Sequence, residues 1–280
     1  MFKSYLFIPA NKQRFIEKAA KIPQVDYRVF DLEDSVLASN IEQSLRLLSE
    51  IEIKETDWLR IPLLESGIRQ VILSSSRIGI SQYVIPKFAG FQEIEGIIEE
   101  ILTINRDAKV LLLLENARSY IELEKILAAF SQSIHGVSLG LHDFAYDTGM
   151  KNDYKLLRHI RMNIMLLARA YGVEPIDVVS THLRNEKLLT EEIFDGFEMG
   201  YRAKFLIHPF QLEVLKSVSF YTEEEVNEYK KVLQYYEENI RGKEALFSYN
   251  DRVYEKMHLE EIKRIVRWGK TLYGTNGEIF

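Results

Sequence analysis

The chain has 280 residues, 46% of them hydrophobic and 28% charged, so a sizeable core is available for one large domain or two ordinary ones. Lysine and arginine number 36 against 42 aspartates and glutamates, and the net charge of −6 argues against a nucleic-acid partner, which needs a basic surface. The absence of cysteine excludes a disulfide scaffold, a thiolate metal site and a cysteine nucleophile, so any metal must be held by carboxylate, imidazole or water, a donor set that favours hard cations.

The opening stretch, residues 1–10, is a short apolar burst followed by the polar run Asn11-Lys12-Gln13-Arg14. Neither a cleaved signal nor a membrane-spanning helix of the required ~20 apolar residues is expected, and a cytoplasmic protein without a membrane partner is. Tyr5–Ile8 reads as a first strand, and residues 11–20 as a helix that gathers Phe15, Ile16, Ala19 and Ala20 on one face. Strands are then predicted at Tyr27–Leu32, Trp58–Ile61 and Tyr83–Pro86, with a helix over 91–104 marked by Ile94, Ile97, Ile98 and Ile101. Val110–Glu115 is continuously apolar up to its last residue, as in a strand buried on both faces, and Gly136–Gly140 follows. A long helix over 155–171 should pack through Met162, Met165 and Leu166 and stop at Gly172. Ile176–Val179 and Phe205–His208 complete eight strand-like runs.

Eight strands alternating with helices over about 210 residues match a (β/α)8 TIM barrel, whose usual size is ~250 residues. A doubly wound sheet is the main alternative, and it should carry a glycine-rich phosphate loop; neither GxGxxG nor GxxxxGK[ST] occurs. The barrel is assigned to 1–221. A C-terminal helical appendage or lid, 222–270, comprises an acidic helix at 223–238, an irregular stretch at 242–257 and a helix at 259–268, and 271–280 read as a frayed tail.

In a parallel barrel the chemistry sits at the C-terminal ends of the strands, and these runs end in polar residues. Asp31, Glu33 and Asp34 close the second, Arg60 sits in the third, Lys87 follows the fourth, Glu115 closes the fifth, and His142 with Asp143 follows the sixth. Asp177 lies in the seventh and His208 ends the eighth. Glu115 and Asp143 would place two carboxylates together on the rim, which suits Mg2+, or Asp143 would cap the helix beginning at Phe144. Arg60 is either a structural ion pair with Asp31 or a ligand for a substrate carboxylate or developing enolate. His208, His135 and His182 read as structural.

In this order the motifs resemble the citrate lyase β-subunit and malyl-CoA lyase-like proteins of the HpcH/HpaI aldolase superfamily. Ser4–Pro9 is similar to the family's first strand, Phe30-Asp31-Leu32-Glu33-Asp34-Ser35-Val36 to its LDLEDAV, Arg60-Ile61 to its R-[IV]-N and Pro86-Lys87 to its PK. Glu115-Asn116-Ala117 resembles ETA, Gly140-Leu141-His142-Asp143 resembles G-x-x-D, and Ile207–Gln211 resembles IHPxQ. The resemblance implies a Mg2+-dependent carbon–carbon lyase acting on a β-hydroxy acyl thioester through an enolate, usually as trimers or hexamers. Glu115 and Asp143 would hold the metal, with Arg60 and Asp31 at the reacting carbonyl. Arg14, Arg60, Glu33 and Asp34 would bind the 2-keto acid or acyl-CoA substrate. Glu255 aligns with the acid or base of the family's lid, which acts in a neighbouring subunit. Ala10 and Ala203 stand where the family has glycine, and Asn116 where it has threonine. Two further readings stand beside the lyase: a CoA-independent aldolase on a free 2-keto acid, and a noncatalytic subunit.

Overall fold

A computed structural model describes residues 2–62, 67–240 and 246–273. Eight parallel strands run in the order β7-β6-β5-β4-β3-β2-β1-β8. They are β1 (Lys3–Pro9), β2 (Tyr27–Asp31), β3 (Asp57–Arg60), β4 (Gln82–Ile85), β5 (Lys109–Leu114), β6 (Ile134–Leu139), β7 (Glu174–Pro175) and β8 (Ala203–Leu206). A single parallel bridge, Asp177 to Lys204, joins the two outer strands and closes the (β/α)8 barrel. The surrounding helices are α1 (Gln13–Ala20), α2 (Ile41–Ser49), α3 (Ile68–Arg77), α4 (Phe91–Ile104), α5 (Ala117–Ile121), α6 (Leu123–Phe130), α7 (Leu141–Thr148), α8 (Arg158–Ala170), α9 (Glu186–Met199) and α10 (Pro209–Ser217).

Alternation along the strands builds the interior. Tyr5, Val29, Trp58, Val84, Leu111, Leu113, Ile176, Ala203 and Phe205 form one buried cluster. Helices cover the outside with their apolar stripes: Ile94, Ile97, Ile98 and Ile101 of α4 are all buried, each contributing about 2 kcal/mol of transfer free energy. At the N-terminal end of the barrel the Tyr5 hydroxyl donates to Glu174 Oε2 (2.8 Å) and meets His135 Nε2 (2.9 Å), while Lys3 Nζ reaches Glu174 Oε1 (2.7 Å). Burial opposes the Glu174 charge, but the bonds from His135, Lys3 and Tyr5 outweigh it and hold this carboxyl down to about 2.

Several expectations are corrected. The seventh strand is only Glu174–Pro175, because the backbone beyond it splits its hydrogen bonds between neighbours: the Ile176 amide donates to Val137 and the Asp177 amide to Ala203. Met162 and Leu166 are exposed; α8 buries Ile160, Arg161, Ile164 and Ala168 instead. The stretch 242–257 is not irregular where it is described, since β9 (Leu246–Tyr249) and β10 (Arg252–Glu255) pair as an antiparallel hairpin. Its turn, Asn250-Asp251, takes positive φ at both residues (47° and 58°), as a tight hairpin turn requires.

Residues 2–216 form one compact unit, and the described residues from Ser217 onward form a second. The second contains α11 (Glu223–Tyr235), the hairpin and α12 (His258–Tyr273), packed around Val232, Tyr236, Phe247, Tyr254, Ile262 and Val266. A capping box starts α11: Thr222 Oγ1 accepts from the Glu225 amide, and the Glu225 carboxylate accepts from the Thr222 amide. Residues 271–273, read as part of a frayed tail, belong to α12; the rest of that tail lies outside the described residues. No helix among the described residues is long and apolar enough to cross a membrane.

Candidate active site

The polar residues that end β2 to β6 meet on one rim. Asp31, the last residue of β2, turns its carboxylate back to accept from the amides of Glu33 (2.9 Å) and Ser35 (3.3 Å), which folds the following loop over the strand end. Its oxygens also take the Arg60 guanidinium in a two-point grip, Nε to Oδ1 at 2.7 Å and Nη2 to Oδ2 at 2.8 Å. Arg60 ends β3, is 9% exposed, and stacks its guanidinium 4.8 Å from the Phe7 ring centre. Its Nη1 lies 3.0 Å from Asp34 Oδ2 and 3.2 Å from Glu33 Oε2. Burial works against this charge, yet the bonds and fields of Asp31, Asp34 and Glu33 prevail and raise the guanidinium pKa.

Lys87, just beyond β4, closes the acidic loop from the other side. Its Nζ lies 2.6 Å from Glu33 Oε1 and 2.9 Å from Asp34 Oδ1. Glu33 Oε2 is buried and, although within ion-pair range of Arg60, accepts no hydrogen bond.

Glu115 follows β5 and is 5% exposed. The Lys87 amide donates to its Oε2 at 2.5 Å. The side chain lies across the start of α7 at Gly140, where a Cβ would stand 2.2 Å from Glu115 Cγ; glycine is required there for close approach, since its φ is an ordinary −79°. Burial pushes the Glu115 carboxyl up to about 8; the Lys87 amide opposes this, the Asp143 charge adds to it and Arg60 offsets part. Asp143, in the first turn of α7, has no hydrogen bond or ion pair to its side chain among the described residues. Two nearby carboxylates, one pushed up by burial and the other's field and neither paired with a lysine or arginine side chain, suit a hard divalent ion that takes one or two carboxylates and keeps water on its other positions.

The expected residues Asp31, Glu33, Asp34, Arg60, Glu115 and Asp143 thus share one rim. Arg14 lies exposed in the first turn of α1, stacked 4.9 Å from the Phe15 ring centre beside Lys12. Glu255 ends β10 in the second unit with its side chain exposed, and its amide donates to His258 Nδ1 at 3.3 Å. Asp177 does not join the rim cluster. It is fully buried and paired with Arg161 (2.7 Å) and Lys204 (3.0 Å), so its charge serves barrel closure. His208 Nδ1 accepts from the Phe210 amide at the start of α10, a structural role.

Ala10 and Ala203 do not take positive φ, so neither strains the backbone. Asn116 caps α5 by accepting from the Ser119 amide through Oδ1 (2.8 Å), and its Nδ2 donates to Phe88 O (2.8 Å), so the two ends of one amide tie the helix start to the loop after β4. Lys87 was legible as a charge at a strand end and in the Pro86-Lys87 match, but no role could be read for it, because its partners Glu33, Asp34 and Glu115 become visible only in three dimensions.

The same arrangement of strands is found in known proteins. The chain is 26% identical over 267 residues to a (3S)-malyl-CoA thioesterase of Cereibacter sphaeroides, covering 92% of this chain and 91% of that one. It is 25% identical over 285 residues to the citrate lyase subunit beta of Haemophilus influenzae, covering 96% and 97%. The crystal structure of CitE from Mycobacterium tuberculosis, in complex with magnesium, acetoacetate and coenzyme A, superposes with a TM-score of 0.78 at 22% identity, covering 96% and 98%. The profile of the HpcH/HpaI aldolase/citrate lyase family matches residues 3–209. That match spans the whole run from β1 to β8, and the chain belongs to the HpcH/HpaI aldolase/citrate lyase family.

Proposed function

We propose that this protein is a Mg2+-dependent carbon–carbon lyase that cleaves or forms a β-hydroxy acyl-CoA thioester. The observation that carries the reading is the pair Glu115 and Asp143, neither paired with a basic side chain, beside a guanidinium held in place by three carboxylates. In this reading Glu115 and Asp143 would hold Mg2+, which would supply Lewis-acid polarisation for the 2-keto acid carbonyl. A relative named for citrate lyase, and a structural neighbour crystallised with magnesium and coenzyme A, agree with it.

In the cleavage direction a base takes the proton from the β-hydroxyl, the hydroxyl carbon becomes the carbonyl of the keto acid, and the bonding pair of the broken C–C bond moves to the thioester as an enolate. Protonation of the enolate carbon completes the reaction. Arg60 meets the charge that develops on oxygen; Asp31 fixes its plane, so no reorganisation is needed as charge forms. Glu33 and Asp34 border the substrate, and Arg14 offers a phosphate contact for coenzyme A. Glu255 is the acid or base of the proton transfer, in a protein that works as a homotrimer or hexamer.

The test pairs Mn2+ binding with turnover. Glu115→Gln and Asp143→Asn should each weaken Mn2+ binding and suppress cleavage of malyl-CoA or citramalyl-CoA; normal binding and turnover in both variants would refute the assignment. The thioesterase relative favours a second reading, hydrolysis of the thioester, which would release free thiol.

A further inference from the structure

Lys87 stands out because a residue with a Cβ occupies the left-handed region, φ +47°, at the rim of the barrel. Such a conformation is costly for a non-glycine residue and persists where surrounding contacts hold it. Here it has two consequences. It turns the Lys87 amide onto Glu115 Oε2 (2.5 Å), and it sends the ammonium the other way, to Glu33 Oε1 (2.6 Å) and Asp34 Oδ1 (2.9 Å). Each of those carboxylates turns its second oxygen toward Arg60 Nη1, at 3.2 Å from Glu33 and 3.0 Å from Asp34. Arg60, Glu33, Lys87 and Asp34 therefore form a ring of alternating charge.

We propose that Lys87 is a positioning residue: its left-handed amide fixes the Glu115 carboxylate, and its ammonium shares Glu33 and Asp34 so that Arg60 keeps charge and N–H groups for an anionic substrate. This rests on the reading of the site given above. Without the ammonium, Asp31, Glu33 and Asp34 would all fall to one guanidinium, and a carboxylate substrate would meet a rim with excess negative charge. Arg60 has five N–H groups and gives three of them to Asp31 and Asp34, so the free ones matter only if the surrounding acids are held elsewhere. The side-chain arm and the main-chain arm are separable by substitution.

Two dissociation constants are measured on the full chain: Mn2+ by electron paramagnetic resonance, and oxalate, an anion that chelates a divalent ion through adjacent oxygens as a 2-keto acid does, by ligand-induced thermal shift with Mn2+ present. Lys87→Met should weaken oxalate about tenfold while leaving Mn2+ within about threefold, and Lys87→Arg should restore oxalate binding. Lys87→Gly, which adopts the left-handed region freely, should keep Mn2+ binding; Lys87→Val, whose branched Cβ disfavours that region, should weaken it about tenfold. A purely structural role would move both constants together with thermal stability, and arginine would not rescue one selectively. Equal oxalate binding by wild type and Lys87→Met, or equal Mn2+ binding by folded Lys87→Gly and Lys87→Val, overturns the assignment. Should Lys87→Val fail to fold, the Met and Arg pair decides. Wild type that binds no Mn2+, or Glu115→Gln that binds it as well as wild type, instead refutes the metal reading itself.

Discussion

Cation binding should be tightly linked to protons through Glu115. Before a cation binds, this carboxyl sits near 8, because burial and the Asp143 charge both disfavour its ionised form. A divalent ion binds the ionised form, so loading must displace a proton wherever Glu115 carries one. The sign follows from the raised value: below 8 protons compete and apparent affinity falls as pH drops, and above 8 the competition ends and affinity levels off. At pH 7 the group is about 90% protonated, so loading releases about 0.9 proton and affinity is about tenfold below its plateau; at pH 6 the loss is about a hundredfold. Titration calorimetry with Mg2+ or Mn2+ in two buffers of different ionisation enthalpy gives the proton count, repeated from pH 6 to 9 for the slope. Affinity that is flat over that range, or loading at pH 7 with no proton release, would refute both the burial argument and the placement of the ion on Glu115.

Three other outcomes follow from particular contacts. Gly140→Ala puts a Cβ against Glu115 Cγ at 2.2 Å, so it should cost about 1–3 kcal/mol and weaken Mn2+ binding at least tenfold; a folded variant with unchanged Mn2+ affinity would contradict the packing described. Asp177→Ala strands Arg161 and Lys204 without their shared carboxylate in the barrel wall, and chemical denaturation should show a loss of about 3–5 kcal/mol. Glu174→Gln should cost about 2 kcal/mol at pH 7, discounted for partial solvent screening. Because the folded carboxyl is held down to about 2 against an ordinary value of 4.5, that contribution is present above 4.5 and fades as pH falls toward 2. A gap between wild type and variant that stays constant from pH 7 to 2 would count against it.

Much of the barrel was legible because buried strands and amphipathic helices leave different periods in the sequence. Phe91–Ile104, with isoleucine at helical spacing, forms the helix over the residues expected. The rim residues Asp31, Arg60, Glu115 and Asp143 were legible because charge at the end of an apolar strand has few other uses. What escaped depends on contacts between distant segments. Asp177 looks like a rim residue in sequence, and only the approach of Arg161 from α8 and Lys204 from β8 reveals it as a buried clamp. Met162 and Leu166 satisfy a helical pattern yet lie on its outer side, because the buried stripe runs through Ile160, Ile164 and Ala168. The hairpin did carry a signal, Asn250-Asp251 between short alternating runs, whose two residues tolerate positive φ. No such signal marks Lys87, where tertiary contacts rather than residue type impose the left-handed turn.

The central claim is that this site breaks a carbon–carbon bond. Its most direct test incubates the protein with malyl-CoA or citramalyl-CoA and Mg2+ and measures acetyl-CoA, 2-oxo acid and free thiol in the same sample. Acetyl-CoA and oxo acid are expected in equal amounts, with no free thiol, and both products should be lost on chelation or in Arg60→Ala. Free thiol released without oxo acid would contradict the claim and assign the site to thioester hydrolysis.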